Sequence, residues 1–461
     1  MTATKQHDQI WEESRRRLIP GTVIGSIIEW YDIAVYGQAA ALVFGTLFFP
    51  KFSETAGTVA AFATFGVGYF ARPLGAMLFG HIGDRYGRRF SLVCTLLLMG
   101  VATVVIGLLP TYAAIGMLAP ILLVICRLLQ GLGVGAEYVG AVTMVAEFAP
   151  TKRRGFFASL PASGVFIGIG LAAAVSAGVA TLPQEQLMSW GWRIPFLLSI
   201  VVVGIGLLIR LRVPESPVFT ELKVARARTR VPALMLIKAM PRRLLLVMVA
   251  NGVLAFNIYV VQTYSLNYIA GKGVAKTVAL IAVLVGCAVG AVAIPFVGAI
   301  SDRSGRKPVY IAVSAFCAII PFPFFWLLDT RNTALVVLGF ALALGGCLAM
   351  FGSQAAFYSE LFPAAYRFSG FALGREIPGA VLAGPAPVIS VGLVSLAGGS
   401  TVLLAGAMIV VAVAGLLAVA ALPETRGIDL APIVDPENAD NPSQRLAPDP
   451  PPTPESRQAV R

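Results

Sequence analysis

The chain has 461 residues, of which 57% are hydrophobic and 13% charged, with a net charge of +12. Soluble domains carry roughly a quarter charged residues, so this composition excludes an ordinary soluble domain and points into a bilayer. The basic residues lie at the ends of apolar runs, so the charge reads as a topology signal and not as a nucleic-acid surface.

Residues 1–18 are polar and end in Arg15, Arg16 and Arg17. The run that follows is too long for a signal peptide and carries Glu29 and Asp32, so it reads as a retained first helix. Apolar segments fall near 19–48, 57–79, 91–110, 114–147, 156–181 and 191–211, then near 244–270, 277–299, 309–328, 333–361, 369–397 and 400–422. Each is long enough to cross roughly 30 Å of hydrocarbon, and none shows the short alternating strands of a barrel. The expected fold is an all-α membrane protein with twelve transmembrane helices in two six-helix halves. The divisions are a cytoplasmic segment 1–18, a first half 19–211, a linker 212–243, a second half 244–422 and a tail 423–461 expected to be disordered.

The halves repeat each other. GHIGDRYGRR, Gly80 to Arg89, returns as GAISDRSGRK, Gly298 to Lys307. Glu147-x-x-Pro150-x-x-x-Arg154 returns as Glu360-x-x-Pro363-x-x-x-Arg367, and Pro214-Glu215-Ser216 as Pro423-Glu424-Thr425. All three pairs keep their order at a separation of roughly 210 residues, as two parallel repeats require.

Lys and Arg concentrate on alternate polar segments: Arg15 to Arg17, Arg85 to Arg89, Lys152 to Arg154, Arg303 to Lys307 and Arg367. The positive-inside rule then puts both termini and both glycine–aspartate–arginine turns in the cytoplasm. At that face Asp84, Arg85, Arg88, Glu147 and Arg154, with Asp302, Arg303, Arg306, Glu360 and Arg367, are read as a conformational latch. Glu147 is expected to pair with Arg85, Arg88 or Arg89 at the same face, and Glu360 with Arg303 or Arg306. Simple topology anchoring is the alternative.

Glu29, Asp32, Arg72, Arg127, Glu137, Arg375 and Glu376 fall inside apolar segments, where an ion costs at least about 2.5 kcal/mol unless it faces a cavity or a partner. Glu29 and Asp32 stand three residues apart near the midplane, with Glu137 as a third acid, so proton coupling is assigned to them. A structural ion pair with Arg72 or Arg127 is the plainer account. Arginine stays charged, so Arg127 and Arg375 can hold a carboxylate ionised or clamp a substrate carboxylate, but not carry the proton. Arg375 can also pair with Glu376. Tyr31, Arg72, Asn257, Gln262, Tyr264, Gln354 and Arg375 form the expected substrate set, although neutral polar groups also serve as glue between helices.

The repeated turns and twelve spans resemble the major facilitator superfamily over residues 18–430. GTVIGSIIEWYDIAVYG, Ala71 to Gly75, RLLQGLGVGAEYVGA and GWRIPF are similar to signatures of its metabolite:proton symporter family, whose members carry shikimate, 2-oxoglutarate, citrate, aromatic acids and betaine or proline. The departures are Ile33 in place of phenylalanine and Ala136-Glu137-Tyr138 in place of a Gly-Glu-Trp pattern. Residues 431–461 show no heptads, unlike the coiled-coil ends of the betaine and proline carriers. In the family the Arg127-x-x-Gln130-Gly131 pattern is associated with coupling.

The resemblance implies a secondary active transporter importing a small organic acid or related metabolite by proton symport through alternating access. It implies a multi-pass protein of the cell membrane, bacterial and inner, acting as a monomer. Its partners would be a small organic acid or zwitterionic metabolite, protons and the lipid bilayer, with no nucleic acid. A proton-driven exporter of drugs or metabolites is the alternative, though 156–175 lacks the glycine–proline signature such exporters carry in the fifth helix. A polytopic membrane enzyme is the remote one. His7 and His81 are the only histidines, the five cysteines are scattered, and no phosphate-binding loop precedes a lysine, so no metal, cofactor or ATP site is expected.

Overall fold

A computed structural model describes residues 3–86, 88–134, 137–212, 232–364, 366–428 and 430. For several short stretches, 80–86 and 88–89 among them, only the helical path of the backbone is described. Among the described residues every regular element is helical. Among the described residues ten spans are long and apolar enough to cross a membrane when one bent pair is counted as one. They are α1 (Ser14–Phe48), α4 (Leu118–Phe148), α5 (Thr151–Val179), α6 (Gly191–Leu208), α7 (Pro241–Gly271), α8 (Lys276–Ser304), α9 (Arg306–Ile319 with Pro321–Asp329), α10 (Thr333–Leu361), α11 (Arg367–Leu396) and α12 (Val402–Ala420). The helices α2 (Glu54–Tyr86) and α3 (Arg88–Leu108) complete the expected twelve.

Boundaries shift at both ends. The first helix already begins at Ala3, and Trp11 packs against Val145 of α4 and Ala149 just beyond its end. The part of 212–243 that is described forms the helix Pro232–Ala239, and α7 starts at Pro241. Of the residues expected in a free tail, Glu424 accepts from the second half's turn and Thr425 donates to Glu360 at the end of α10. The basic stretch 213–231 and the tail 431–461 lie outside the described residues.

Apolar helices gain nothing by leaving lipid for one another unless they pack closely, and small residues permit that. At the crossing of α5 with α8, a Cβ on Gly155 would meet the Gly298 carbonyl oxygen at 2.5 Å, and one on Gly298 would meet that of Gly155 at 2.6 Å. This glycine-on-glycine contact seats the first half directly on the second. Three π-turns interrupt the ladders: Ala40–Phe44 in α1, Val260–Tyr264 in the repeat-related α7, and Gly379–Ala383 in α11. Such turns loosen the register of backbone carbonyls and often mark functional segments.

Candidate functional site

Between the halves lies a cavity with about 470 Å³ of empty space. The first half lines it with Trp30, Tyr69, Arg72, Phe166 and Ile169. The second half supplies Asn251, Tyr259, Gln262, Phe351, Arg375 and Glu376, among others. Arg72 reaches Glu376 at 3.8 Å, and Arg375 lies 3.6 Å from the same carboxylate. Both guanidiniums rest on aromatic faces, Arg72 at 3.8 Å from the Tyr69 ring centre and Arg375 at 3.9 Å from that of Tyr138. Stacking holds a fork flat while leaving its N–H edges free to bond. The Tyr69 hydroxyl donates to that of Tyr259 across the halves. Gln354 donates to Asn251 at 2.9 Å and so fixes a residue that does line the cavity.

The buried acids of α1 divide. Asp32, fully buried, accepts from Ser199 Oγ at 2.5 Å and from Thr103 Oγ1 at 3.1 Å. No Lys or Arg nitrogen among the described residues lies within 4 Å of it. Gln130 donates to the same Thr103 hydroxyl at 2.7 Å, and Arg127 donates to Gln130 at 3.0 Å. Arg127 therefore meets Asp32 through a two-residue relay and not as an ion pair. Its guanidinium is held over the rings of Tyr36 and Phe65 and donates to the Phe65 carbonyl at 3.3 Å. Gly68 leaves room for it, since a Cβ there would come within 2.7 Å of Nε. Glu29 is 1% exposed and within electrostatic reach of Arg72 and Tyr138. Glu137 opens the second segment of α4 and is half-buried.

At the end of α8 away from Lys276 the halves are cross-braced. Arg154 donates to Glu360 at 3.2 Å, and Arg367 donates to Glu147 at 2.7 Å. Arg306 also donates to Glu360 at 3.2 Å and to Asp302 at 2.7 Å, while Thr425 donates to Glu360 at 2.7 Å. Asp302 accepts from the backbone N–H of Gly155 and Phe156 at 2.7 and 3.0 Å, where the first turn of α5 leaves donors unpaired. Glu424 caps α9 in the same way, accepting from Arg306 N and Lys307 N. Burial pushes the Glu424 carboxyl up, but these and two further backbone donors outweigh it and hold the group below its usual range. At the opposite end, Asn267 and Lys276 donate to the Ala41 and Leu42 carbonyls of the α1 π-turn, each at 3.2 Å. Bridges between the halves thus stand on both sides of the cavity.

A family model described as "Sugar (and other) transporter" matches residues 18–231. The shikimate transporter of Escherichia coli (strain K12) is 37% identical over 396 residues, covering 84% of this chain and 89% of that protein. The proline/betaine transporter of Salmonella typhimurium is 33% identical over 428 residues, covering 89% and 84%. The chain belongs to the major facilitator superfamily. A solved structure of the superfamily's proton:xylose symporter XylE, with 6-bromo-6-deoxy-D-glucose bound, superposes with a TM-score of 0.72 at 20% identity, covering 91% of this chain and 98% of that one, which speaks for the fold alone. The protein is a multi-pass membrane transporter of the sugar and metabolite class, not an enzyme.

Within this transporter the expected residues sort by position. Arg72, Gln262 and Arg375 line the central cavity. Tyr31 does not: its hydroxyl donates to the Pro195 carbonyl at 2.8 Å, against α6. Asn257 turns to the Met408 carbonyl of α12 at 3.4 Å, and Tyr264 packs beside Tyr268. Residues one or two positions off the lining face of a helix point into neighbours, and spacing alone did not reveal which face that was. Glu147 takes Arg367 of the other half, its expected pairing with Arg85, Arg88 or Arg89 lying outside the described side chains, and Glu360 has its expected partner Arg306 together with Arg154. Arg303 is exposed and takes no part in these bonds. The side chains of Asp84, Arg85 and Arg88 are outside the described set. Trp30, Tyr69, Asn251 and Glu376 were missing from the expected substrate set, although Glu376 was visible as an acid inside an apolar run and Trp30 as part of the IEWYD motif.

Proposed function

We propose that the transporter imports a small organic acid together with protons by alternating access, with the cross-braced face and both termini in the cytoplasm. The observation that carries the substrate class is the pair of stacked arginines, Arg72 and Arg375, brought into one cavity from opposite halves. A planar fork binds a carboxylate through two parallel bonds, and the Trp30, Phe166 and Phe351 walls suit the apolar body of such an acid. The shikimate transporter's likeness over most of the chain supports the same class.

Proton coupling is assigned to Asp32, with Glu29 beside it. Both partners of Asp32 are hydroxyls, which donate to a carboxylate and accept from a carboxylic acid, so the site suits either charge state without moving a helix. The Thr103–Gln130–Arg127 relay would report that charge to α2 and α4. The Arg154–Glu360 and Arg367–Glu147 braces serve as the latch, closing the cytoplasmic face until the halves rock apart. The test is uptake of a panel of labelled organic acids into vesicles under an imposed pH gradient. Accumulation that collapses when the gradient is dissipated supports the reading, and gradient-independent or absent uptake of every acid refutes it.

Glu376 favours a second reading. A carboxylate between two arginines gives the cavity both signs of charge, and a zwitterion such as those carried by the proline/betaine transporters would match it. Labelled proline and betaine in the same assay separate the two.

A further inference from the structure

A second cavity, with about 410 Å³ of empty space, lies between the halves at the far end from the cross-braces. It shares α1 and α5 with the central cavity. Gln38 stands eight residues beyond Trp30 and Ser176 seven beyond Ile169, so it sits roughly 10–12 Å nearer the opposite membrane face. Its wall is largely apolar, with Leu42 and Phe196 among the lining residues.

Its polar groups are almost all donors. Ser176 donates to Gln38 Oε1 at 2.8 Å, which fixes the amide and leaves Nε2 without an acceptor although Gln38 is only 3% exposed. Trp192, also 3% exposed, has its indole N–H unpartnered. Lys276 spends one N–H on the Leu42 carbonyl at 3.2 Å and has two left. No Asp or Glu lines the cavity. Buried donors normally find acceptors, and two without one beside a partly buried ammonium, around one apolar space, point to an anion.

We propose that this cavity is an outer binding site for a carboxylate on an apolar or aromatic skeleton, taken by Lys276 with Gln38 and Trp192. It is a waiting position for the acid on its way to the central cavity, and so rests on the organic-acid reading. The Lys276–Leu42 bond also bridges the halves, so an arriving carboxylate competes for the ammonium that ties α8 to the α1 π-turn. Binding there loosens the outer closure and admits the acid.

The test is equilibrium binding of radiolabelled benzoate to the full-length protein in phosphatidylcholine nanodiscs. Two equivalents are expected. Lys276→Met and Gln38→Leu should each weaken one equivalent at least about tenfold, while Arg375→Lys weakens the other. Trp192→Phe keeps the ring and removes the N–H, so it sustains the test if Lys276→Met does not fold. A single equivalent dependent on Arg375, or a second one indifferent to all three substitutions, overturns the proposal. So does displacement of the Lys276-dependent equivalent by stoichiometric phosphatidylglycerol, which would assign the donors to a lipid headgroup. Failure of the transport reading looks different: no labelled acid accumulates under a pH gradient, yet Lys276-dependent benzoate binding persists and the anion site stands.

Discussion

Arg154 and Glu360 join the two halves at 3.2 Å, and their repeat counterparts Arg367 and Glu147 join them again at 2.7 Å with the halves exchanged. The correspondence extends to the backbone, for Arg154 Nε donates to Ala146 O and Arg367 Nε to Ser359 O, both at 3.0 Å. Each half therefore carries one donor and one acceptor, and the brace forms only when the two faces meet. Arg154 and Glu360 are almost wholly buried, and because Arg306 of its own half still compensates Glu360, what Arg154→Ala removes is the bond that crosses between the halves. Arg154→Ala should shift the population strongly toward conformers open at that face. Cysteine accessibility across the α5–α8 seam checks it, and unchanged accessibility would show the brace to be a mere anchor.

Lys272–Asp329 is the contrasting case. Its atoms lie 2.9 Å apart, but the side chains are 34% and 41% exposed, and exposed pairs contribute about 0–1 kcal/mol. Asp329→Asn should leave both thermal stability and uptake close to wild type. A loss as large as that of Arg154→Ala would refute burial as the deciding variable.

Glu424 gives a pH prediction. Its carboxyl is held below its usual range by backbone donors at the start of α9. A depressed pKa means the stabilisation is full above the ordinary glutamate range and is lost as pH falls through the folded-state value. Thermal midpoints measured while pH is lowered into the acidic range should drop less steeply in Glu424→Gln than in wild type. Identical slopes would remove Glu424 as a contributor.

The twelve spans were legible because lipid demands long apolar helices, and the two halves because the Asp-Arg-x-Gly-Arg turn and the Glu–Pro–Arg frame recur. That Glu147 and Glu360 work at one face was also legible. Their partners across the halves were not, because a repeat shows which residues are equivalent but not that the equivalents swap. Tyr31 and Asn257 show a second limit. Polarity inside an apolar run says that a side chain has a partner, and only the packing of α6 and α12 says that the partner is a carbonyl and not a substrate. The different surroundings of Glu29 and Asp32 had the same origin, since three residues of helix turn the two acids far enough to meet different neighbours.

The arginines of the central cavity separate geometry from charge. Arg375→Lys and Arg72→Lys keep the positive charge but lose the fork and the flat stack on Tyr138 and Tyr69. For a carboxylate substrate at least one should raise KM about tenfold or more, the worth of one charge-assisted hydrogen bond. Retained affinity in both, with proline or betaine as the accepted substrate, would favour the zwitterion reading.

Asp32 offers the sharpest test of coupling. A pH gradient of one unit is worth about 1.4 kcal/mol per proton, or about tenfold accumulation at one proton per substrate. Asp32→Asn keeps the size and a hydrogen-bonding group for Ser199 and Thr103 but cannot titrate. Gradient-driven accumulation should fall from about tenfold to unity, while exchange across de-energised vesicles persists. Thr103→Val leaves Asp32 its Ser199 bond but cuts the link to Gln130 and Arg127. If the relay transmits the charge state, Thr103→Val uncouples as Asp32→Asn does although the acid is intact. Normal accumulation in Thr103→Val with uncoupling in Asp32→Asn would confine the proton's effect to α1. Normal accumulation in both would move the proton site to Glu29, the remaining buried acid of α1, and Glu29→Gln would then be the variant that loses the gradient.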